Sequence, residues 1–230
     1  MKNSIFISLI IFFMILSIET IAQSETRQVD GFDEVSMGIS GDLYLKQGST
    51  FSLELKGDDD DLEDVITEVK NGKLVIKYRN NKGWSFGRDR VTVYLTMPEV
   101  SSVSLGGSGK IYGENTIESD DLYLSVSGSG RIELDLEADD LTQKISGSGN
   151  IKVSGSADRA EVSISGSGNL DALDMEADHY SVRISGSGKC KINVGDSLEA
   201  NISGSGSVYY KGDPDKIRSN VSGSGKVKPY

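Results

Sequence analysis

The sequence has one cysteine and one histidine among its 230 residues. Zinc sites, thiolate nucleophiles and serine–histidine sites require cysteine or histidine in combination with other residues. With one of each, the chain has too few of these residues to favour such a site. Cys190 has no second cysteine to pair with, which excludes an internal disulfide. Positively charged residues are also fewer than negatively charged ones: the chain has 24 Lys and Arg and 35 Asp and Glu, for a net charge of −11. This balance disfavours nucleic acid and anionic lipid as partners.

Long apolar runs are absent except at the N-terminus. Lys2 is followed by apolar residues from Ile5 to Ile18 and then by Thr20-Ile21-Ala22, which predicts a secretory signal peptide over residues 1–22. A membrane anchor is the alternative, but a run of about 14 residues is short for a bilayer. No cysteine directly follows Ala22 to carry a lipid. We therefore expect an exported protein of the periplasm, cell surface or extracellular space, with no transmembrane segment in the mature chain.

Glycine, in contrast, is abundant and regularly placed. The tetrapeptide Ser-Gly-Ser-Gly begins at residues 127, 146, 165, 185, 203 and 222, and a variant, Gly-Gly-Ser-Gly, begins at residue 106. Spacings of 18 to 21 residues between successive copies indicate a repeat architecture. A flexible Gly/Ser linker would not recur at a fixed period between apolar segments.

Apolar residues alternate with polar ones on both sides of each tetrapeptide. Leu122, Leu124 and Val126 precede one copy, and Ile132, Leu134 and Leu136 follow it. Such a period of two is typical of a half-buried strand. Each repeat is therefore predicted to be a strand, a tight turn, a second strand and a looser loop that absorbs the differences in length. One repeat buries too little apolar surface to fold alone, so the copies must stack.

The sequence thus predicts an all-β fold, a β-solenoid (β-helix) of about 19-residue strand-turn-strand repeats. The glycines supply positive φ and close backbone approach in the turns. The predicted turn glycines are Gly107, Gly109, Gly128, Gly130, Gly147, Gly149, Gly166, Gly168, Gly186, Gly188, Gly204, Gly206, Gly223 and Gly225.

Residues 23–230 are predicted to form one domain, with a less regular part at 23–97 and the glycine repeats at 98–230. The segment Asp33 to Leu45 fits the repeat with a shortened turn. Asp58 to Lys70 carries apolar residues at helical spacing behind acidic residues, which predicts one short helix. Asn80 to Arg90, which holds the only Trp, is predicted to be an exposed loop.

With these segments in place, the chain resembles the head GIN domain family of secreted bacterial proteins, described as auto-transporter adhesins. The segments that carry the resemblance are Gly31 to Leu45, Lys73 to Tyr78, Val91 to Ile111 and the glycine repeats that run to the end. The resemblance implies a β-helical fold and a role in adhesion at the cell surface. It brings no catalytic residues to transfer.

Two charged columns emerge when the repeats are aligned. An aspartate lies two residues before the first apolar position of each first strand, at Asp120, Asp139, Asp158, Asp178, Asp196 and Asp215. One interpretation is that each caps its loop by accepting backbone N–H bonds. The alternative is a ladder that binds calcium, which prefers oxygen ligands and would relieve the repulsion between stacked carboxylates.

The second column follows each tight turn and contains no acid. It consists of Lys110, Arg131, Asn150, Asn169, Lys189, Ser207 and Lys226. An acidic edge and a basic-polar edge are therefore expected on opposite sides of the solenoid. The basic-polar edge is either a solvated surface or an attractor for neighbouring proteins or surface glycans.

These observations predict a non-enzymatic adhesion or binding module with no catalytic residues, no resident cofactor and an unidentified partner, for which a surface glycan or a protein are the candidates. A structural envelope scaffold is the alternative. A polysaccharide-acting enzyme is the third possibility, because parallel β-helices can carry such sites on projecting loops. Here the loops between repeats are short.

Overall fold

A computed structural model describes residues 23–79 and 90–230. The predicted signal peptide, residues 1–22, and nearly all of the predicted loop from Asn80 lie outside the described residues. Strands make up most of the described chain, together with one short helix, α1 (Asp59–Asp64). Within this part, no helix has the length and apolar character needed to cross a bilayer.

The strands follow one another in chain order with the following bounds. They are β1 (Gln23–Arg27), β2 (Glu34–Met37), β3 (Asp42–Gln47), β4 (Ser52–Gly57), β5 (Val65–Lys70), β6 (Lys73–Tyr78), β7 (Thr92–Met97), β8 (Ser102–Gly107), β9 (Lys110–Gly113), β10 (Ile117–Gly128), β11 (Arg131–Gly147), β12 (Asn150–Gly166), β13 (Asn169–Gly186), β14 (Lys189–Gly204), β15 (Ser207–Lys211), β16 (Lys216–Gly223) and β17 (Lys226–Pro229).

The glycine repeats form a β-solenoid, as predicted. Equivalent positions of successive coils pair in parallel, so that Arg131 pairs with Asn150 and Asn150 with Asn169, a step of 19 residues each time. We call the strand that leads into the Ser-Gly-Ser-Gly segment the first strand and the one that leaves it the second strand. All the strands belong to one continuous 17-stranded sheet that folds around the apolar core. Its first strands stack into one layer and its second strands into another, and we call these layers the first-strand sheet and the second-strand sheet.

The Ser-Gly-Ser-Gly segments, here called the glycine corners, turn the chain from the first sheet to the second. Gly166 has φ of +113°, a region open mainly to glycine. Gly168 is buried, and a Cβ there would lie 2.3 Å from Cγ2 of Ile145 and 2.8 Å from the carbonyl oxygen of Gly149. Gly166 is thus required both by its backbone conformation and by contact with the preceding coil, since a Cβ there would lie 2.6 Å from the carbonyl oxygen of Gly147; Gly168 is required by contact alone.

Hydrogen bonding continues through the glycine corner. The N–H of Ser167 donates to the carbonyl of Gly147 at 2.8 Å, and the N–H of Asn169 donates to that of Gly149 at 3.0 Å. In this corner the serine therefore contributes its backbone N–H to the stack.

The loop expected after each second strand is not a loop. In β11, β12, β13 and β14 the second strand runs without interruption into the first strand of the next coil. The buried positions of β11 change parity along the way, from Leu136 on one side to Leu141 on the other, so the strand bends back over the core. We call this bend the acidic corner; it comprises residues 136–141, 155–160 and their equivalents in the other coils. Extended backbone is possible here because each coil pairs with its neighbours through the bend.

The length differences between repeats do fall after the second strand, as predicted, but they are absorbed by β-bulges. Register shifts occur between Ala172 and Glu176 and between Ala177 and His179 where β13 pairs with β14. A bulge adds residues to one strand and leaves the rest of the ladder in place. Variation in repeat length therefore does not disturb the glycine corners.

The N-terminal part continues the same stack, although not in chain order. Strands β2 and β3 form a coil, as the segment from Asp33 predicted. β2 pairs in parallel with β6 on one side and with β8 on the other, and β3 likewise lies between β7 and β9. The chain therefore adds a coil on one side of β2 and β3 before it returns to continue on the other side.

The helix predicted from Asp58 to Lys70 is shorter than expected. Helix α1 ends at Asp64, and residues Val65–Lys70 form strand β5, which pairs antiparallel with β6. Val65, Ile66 and Val69 fit helical spacing, but their β-branched side chains also suit a strand, and the free edge of β6 decides the outcome.

The two ends of the stack are closed differently. At the N-terminal end, α1 buries Leu62, and Arg27 of β1 donates from Nη1 to the carbonyl of Val65 at 2.7 Å and from Nη2 to that of Leu62 at 2.9 Å. At the other end, β16 and β17 pair on one side only, and Ile217 is 44% exposed. At the N-terminal end, the Arg27 side chain thus satisfies two backbone carbonyls. At the other end, the outer edges of β16 and β17 have no partner strand in the described chain.

Candidate functional site

The structure places the predicted aspartates along the acidic corner. The residues that directly follow them pair in register, as Asp121 with Asp140, Asp140 with Arg159 and Arg159 with His179. Stacked coils lie about 4.8 Å apart, so the carboxylates form a column. A bulge at Gly195 shifts Asp196 within it. The predicted acidic ladder, Asp120, Asp139, Asp158, Asp178, Asp196 and Asp215, therefore exists as a surface column with one irregularity.

The described residues show no backbone hydrogen bond to the ladder and no cluster of metal ligands within it. Among residues 23–79 and 90–230, no backbone N–H donates to any of the six carboxylates, so the capping interpretation is wrong. In the same residues, no three His, Cys, Asp or Glu side chains come together in a geometry that could hold a metal ion. The first four aspartates of the ladder, Asp120, Asp139, Asp158 and Asp178, line a shallow acidic groove of about 680 Å³ together with Glu118, Glu137 and Glu176.

Cations partly offset the negative charge of this corner, which the sequence patterns did not show. Arg159 donates from Nε and Nη2 to the two carboxylate oxygens of Asp140, both at 2.6 Å. This hydrogen bond, with a smaller contribution from the attraction between the two charges, lowers the pKa of Asp140. His179 is exposed, and its Nδ1 lies 2.9 Å from Oγ of Ser197 and 3.4 Å from Oδ2 of Asp196. The acidic corner thus carries a counter-charge of its own in Arg159.

The basic-polar column is in register along its whole predicted length. Pairing runs from Lys110 through every coil to Lys226, and the members are Lys110, Arg131, Asn150, Asn169, Lys189, Ser207 and Lys226. On the N-terminal side of Lys110 the column continues as Asp42 and Thr92. The acid-free stretch is therefore confined to the glycine repeats.

A groove of about 350 Å³ lies over the middle of this column. Arg131 and Lys189 stand at its ends, and Asn150 and Asn169 lie between them, with Nδ2 of Asn169 donating to Oδ1 of Asn150 at 3.0 Å. We call this surface the asparagine groove. The adjacent outward column also lines it, through Lys152, Asp171 and Lys191.

In the N-terminal part, the adjacent column is a stack of tyrosines that the sequence analysis missed. The rings of Tyr44 and Tyr94 stack at 5.2 Å between centroids, and those of Tyr44 and Tyr112 at 5.6 Å. Three second strands each place a tyrosine at the same outward position, which is the signal that could have revealed the stack. The ring faces of Tyr44 contact the neighbouring rings, so this stack is not a flat platform for a sugar.

Buried polar groups are few and lie in the core. Cys190 is fully buried, and burial raises the pKa of its thiol. Burial also raises the pKa of Tyr180, whose hydroxyl has no hydrogen-bond partner, and the two amide atoms of Gln143 have none either. Only the deprotonated thiolate is a nucleophile, and burial keeps the Cys190 thiol neutral. Cys190 is therefore a packing group of the core.

Comparison with known proteins agrees with this architecture. Residues 31–214 match the family described as "Putative auto-transporter adhesin, head GIN domain". No curated protein matches the chain.

Several solved structures share the fold. The chain is similar to a putative adhesin from Bacteroides fragilis NCTC 9343, at 24% identity and a TM-score of 0.86, with 92% of this chain and 98% of that chain covered. It is similar to a putative lipid binding protein from Parabacteroides distasonis ATCC 8503, at 25% identity and a TM-score of 0.76, with 92% and 98% covered. A putative adhesin from Parabacteroides merdae ATCC 43184 matches at 23% identity and a TM-score of 0.73, with 92% and 97% covered. The chain belongs to the head GIN domain family of putative auto-transporter adhesins.

Proposed function

We propose that the chain is an exported, non-enzymatic binding module that acts in adhesion at the bacterial cell surface or in the periplasm. The observation that carries this proposal is the pair of charged columns, held in register over successive coils of the solenoid. Hydrogen-bonded coils hold side chains at a fixed repeat of about 4.8 Å, which suits contact with an extended partner along a surface. The family description, which names an adhesin, supports the same role.

The surroundings of the carboxylates favour binding over catalysis. A glycosidase pairs a carboxylate with a carboxylic acid whose pKa is raised, commonly by burial. In the described ranges, the buried polar or charged residues are Ser102 and Gln143, so no carboxyl group there is buried. The acidic groove is correspondingly open to solvent, and at the same corner Arg159 lowers the pKa of Asp140.

A structural scaffold of the envelope is the second candidate. The observation that favours it is the free edge of the last coil, where β16 and β17 each pair on one side only. Exposed strand edges can add further strands from another chain. A scaffold of this kind would need no soluble ligand.

The proposal can be tested by expressing the full chain in a bacterium and purifying the exported form. N-terminal sequencing should find cleavage after Ala22, as residues 1–22 predict. Beads coated with the folded protein should then bind a glycan array and cultured host cells, whereas beads coated with heat-unfolded protein should not. Retention no greater than that of the control beads on every surface would reject the adhesion role. An envelope defect on gene deletion would then favour the scaffold.

A further inference from the structure

We propose that the asparagine groove is a binding site for an acidic glycan, a polysaccharide that carries carboxylate or sulfate groups. This inference rests on the proposed adhesion function and assigns it a site. The groove combines two outer cations with two central amides, in one straight column on the second-strand sheet. The cations match the carboxylate or sulfate groups of such a polymer, and the amides match its hydroxyl groups.

The charge of the groove is opposite to that of the whole protein. Its lining includes Arg131, Lys152, Lys189 and Lys191 against one acid, Asp171, so four cations minus one anion give +3. The complete chain carries −11. A local positive field on an acidic protein attracts anions to one place and repels them from the rest of the surface.

The cations at the ends of the groove are available to a ligand. In the adjacent column, Lys152 pairs with Glu133 at 3.3 Å, and Lys191 lies 3.8 Å from Asp171. Within the described residues, Arg131 and Lys189 form no ion pair. Arg131 can therefore hold a carboxylate or sulfate in a two-pronged hydrogen bond, and Lys189 can hold another as a point charge.

The amides between these cations suit sugar hydroxyls. The bond from Nδ2 of Asn169 to Oδ1 of Asn150 leaves the amino group of Asn150 as a donor and the carbonyl oxygen of Asn169 as an acceptor. A hydroxyl group donates and accepts, so neighbouring hydroxyls of one sugar can use both. Because the column repeats at about 4.8 Å, a linear polymer can lie along it with successive groups facing successive coils.

Glycan fits this surface better than nucleic acid does. Single-stranded nucleic acid is bound by a long positive groove with aromatic side chains on which bases stack. The tyrosine stack of the neighbouring column covers the ring faces of Tyr44 and ends at Tyr112, in the coil next to that of Arg131 and outside the groove. The acidic corner on the far side of the coil would also repel a long polyanion that wrapped around the protein.

The experiment uses the exported, full-length processed protein and three immobilised polymers: dextran sulfate, polygalacturonate and uncharged dextran. The site variant is Arg131→Glu with Lys189→Glu. The matched control is Lys144→Glu with Arg183→Glu, which makes the same charge change at exposed positions of the first-strand sheet. Circular dichroism and thermal melts verify that both variants fold. Binding is measured by biolayer interferometry at several salt concentrations.

We expect the unmodified protein to bind at least one of the two acidic polymers, more weakly as salt rises, and not to bind dextran. The site variant should lose about tenfold or more in affinity, a change of about 1.4 kcal/mol. The control should stay within about threefold. Double replacement of Asn150 and Asn169 by alanine should also weaken binding, at unchanged net charge.

Equal losses in the site variant and the control would overturn the site, because they would indicate attraction by net charge alone. Binding of dextran as strong as that of the acidic polymers would overturn the acidic class. If the site variant still adheres to cells and glycans as the unmodified protein does, the groove is wrong and the adhesion role stands. If the unmodified protein binds no surface at all, the adhesion role itself fails.

Discussion

The two corners of each coil turn the same chain by different means. At the glycine corner the backbones of successive coils approach so closely that a Cβ at Gly168 would lie 2.8 Å from the carbonyl of Gly149. At the acidic corner the chain stays extended, bends over several residues and accepts bulges, as between Ala172 and Glu176. Backbone contact limits the glycine corner in coil after coil, whereas at the acidic corner it limits single coils such as that of Gly155, where φ is +109° and a Cβ would lie 1.9 Å from the carbonyl oxygen of Leu136.

This difference explains why one corner repeats strictly and the other varies. The glycine corner keeps its two glycines from coil to coil, since a Cβ at Gly166 or Gly168 would meet a carbonyl oxygen of the preceding coil. The acidic corner places Leu136, Gly155 and Met175 at equivalent positions, which differ widely in size. A site whose groups must stay in register is therefore best placed beside the glycine corner, where the asparagine groove lies.

The largest effect is expected at the glycine corner itself. Gly168→Ala should lower the free energy of unfolding by about 3 kcal/mol, at the upper end for overpacking a core, because the new Cβ meets Ile145 and a carbonyl. Urea denaturation measures this. Ser167→Ala in the same corner and Ser156→Ala at the acidic corner should each change it by less than about 0.5 kcal/mol. A cost below 1 kcal/mol for Gly168→Ala would show that the corner can relax.

A smaller effect of opposite sign is expected just past the acidic corner. Gln143 is fully buried, and neither of its amide atoms has a partner, while Leu124 and Val162 occupy the same position in the neighbouring coils. Gln143→Leu should raise the free energy of unfolding by about 1–2 kcal/mol, because folding of the variant no longer buries an amide group without hydrogen-bond partners. Urea midpoints check this, with Gln143→Glu as a destabilising counterpart. A loss of stability with leucine would mean that the amide has a partner in solution.

The counter-charge at the acidic corner should give a pH-dependent effect. The hydrogen bond from Arg159 lowers the pKa of Asp140, so this pair stabilises the fold above the pKa of the unfolded chain and loses its effect as pH falls through the lower, folded pKa. Arg159→Gln should therefore lower Tm at neutral pH, and the difference should vanish well below the usual value of 3.8.

The matched control for that experiment is Arg183→Gln, on the first-strand sheet. Because Arg183 forms no ion pair within the described chain, its replacement should give a Tm difference that does not follow the protonation of a carboxylate. Added salt should also reduce the Arg159→Gln difference. Identical pH profiles for the two variants would contradict the role of the Asp140 pair.

The smallest effect concerns the ladder. Because no backbone N–H donates to the Asp158 carboxylate, Asp158→Asn and Asp158→Ala should agree within about 0.5 kcal/mol, whereas a cap would make alanine worse by about 1 kcal/mol. Calcium and sodium at matched ionic strength should raise Tm equally, through screening of the stacked carboxylates. A larger shift with calcium would mean that the ladder binds the ion.

Much of the repeat region could be predicted from the sequence, because its determinants are local. The glycine period predicted the corners, the alternation around them predicted the core, and alignment of the repeats placed Arg131, Asn150, Asn169 and Lys189 in one column. Two features were not predicted: the hydrogen bonds from Arg27 to the carbonyls of Leu62 and Val65, and the tyrosine stack. Each joins segments that are distant in the chain.

The sequence by itself determined the coil, its two sheets and the charge of each edge, because the glycine corner recurs once in every coil and fixes the register of the residues between successive corners. Tertiary structure decided the rest. Val65, Ile66 and Val69 satisfy both helical and strand patterns, and only the free edge of β6 makes them a strand. Extended backbone at the acidic corner is likewise stable only when the neighbouring coils supply its hydrogen bonds, and a single sequence window does not contain those coils.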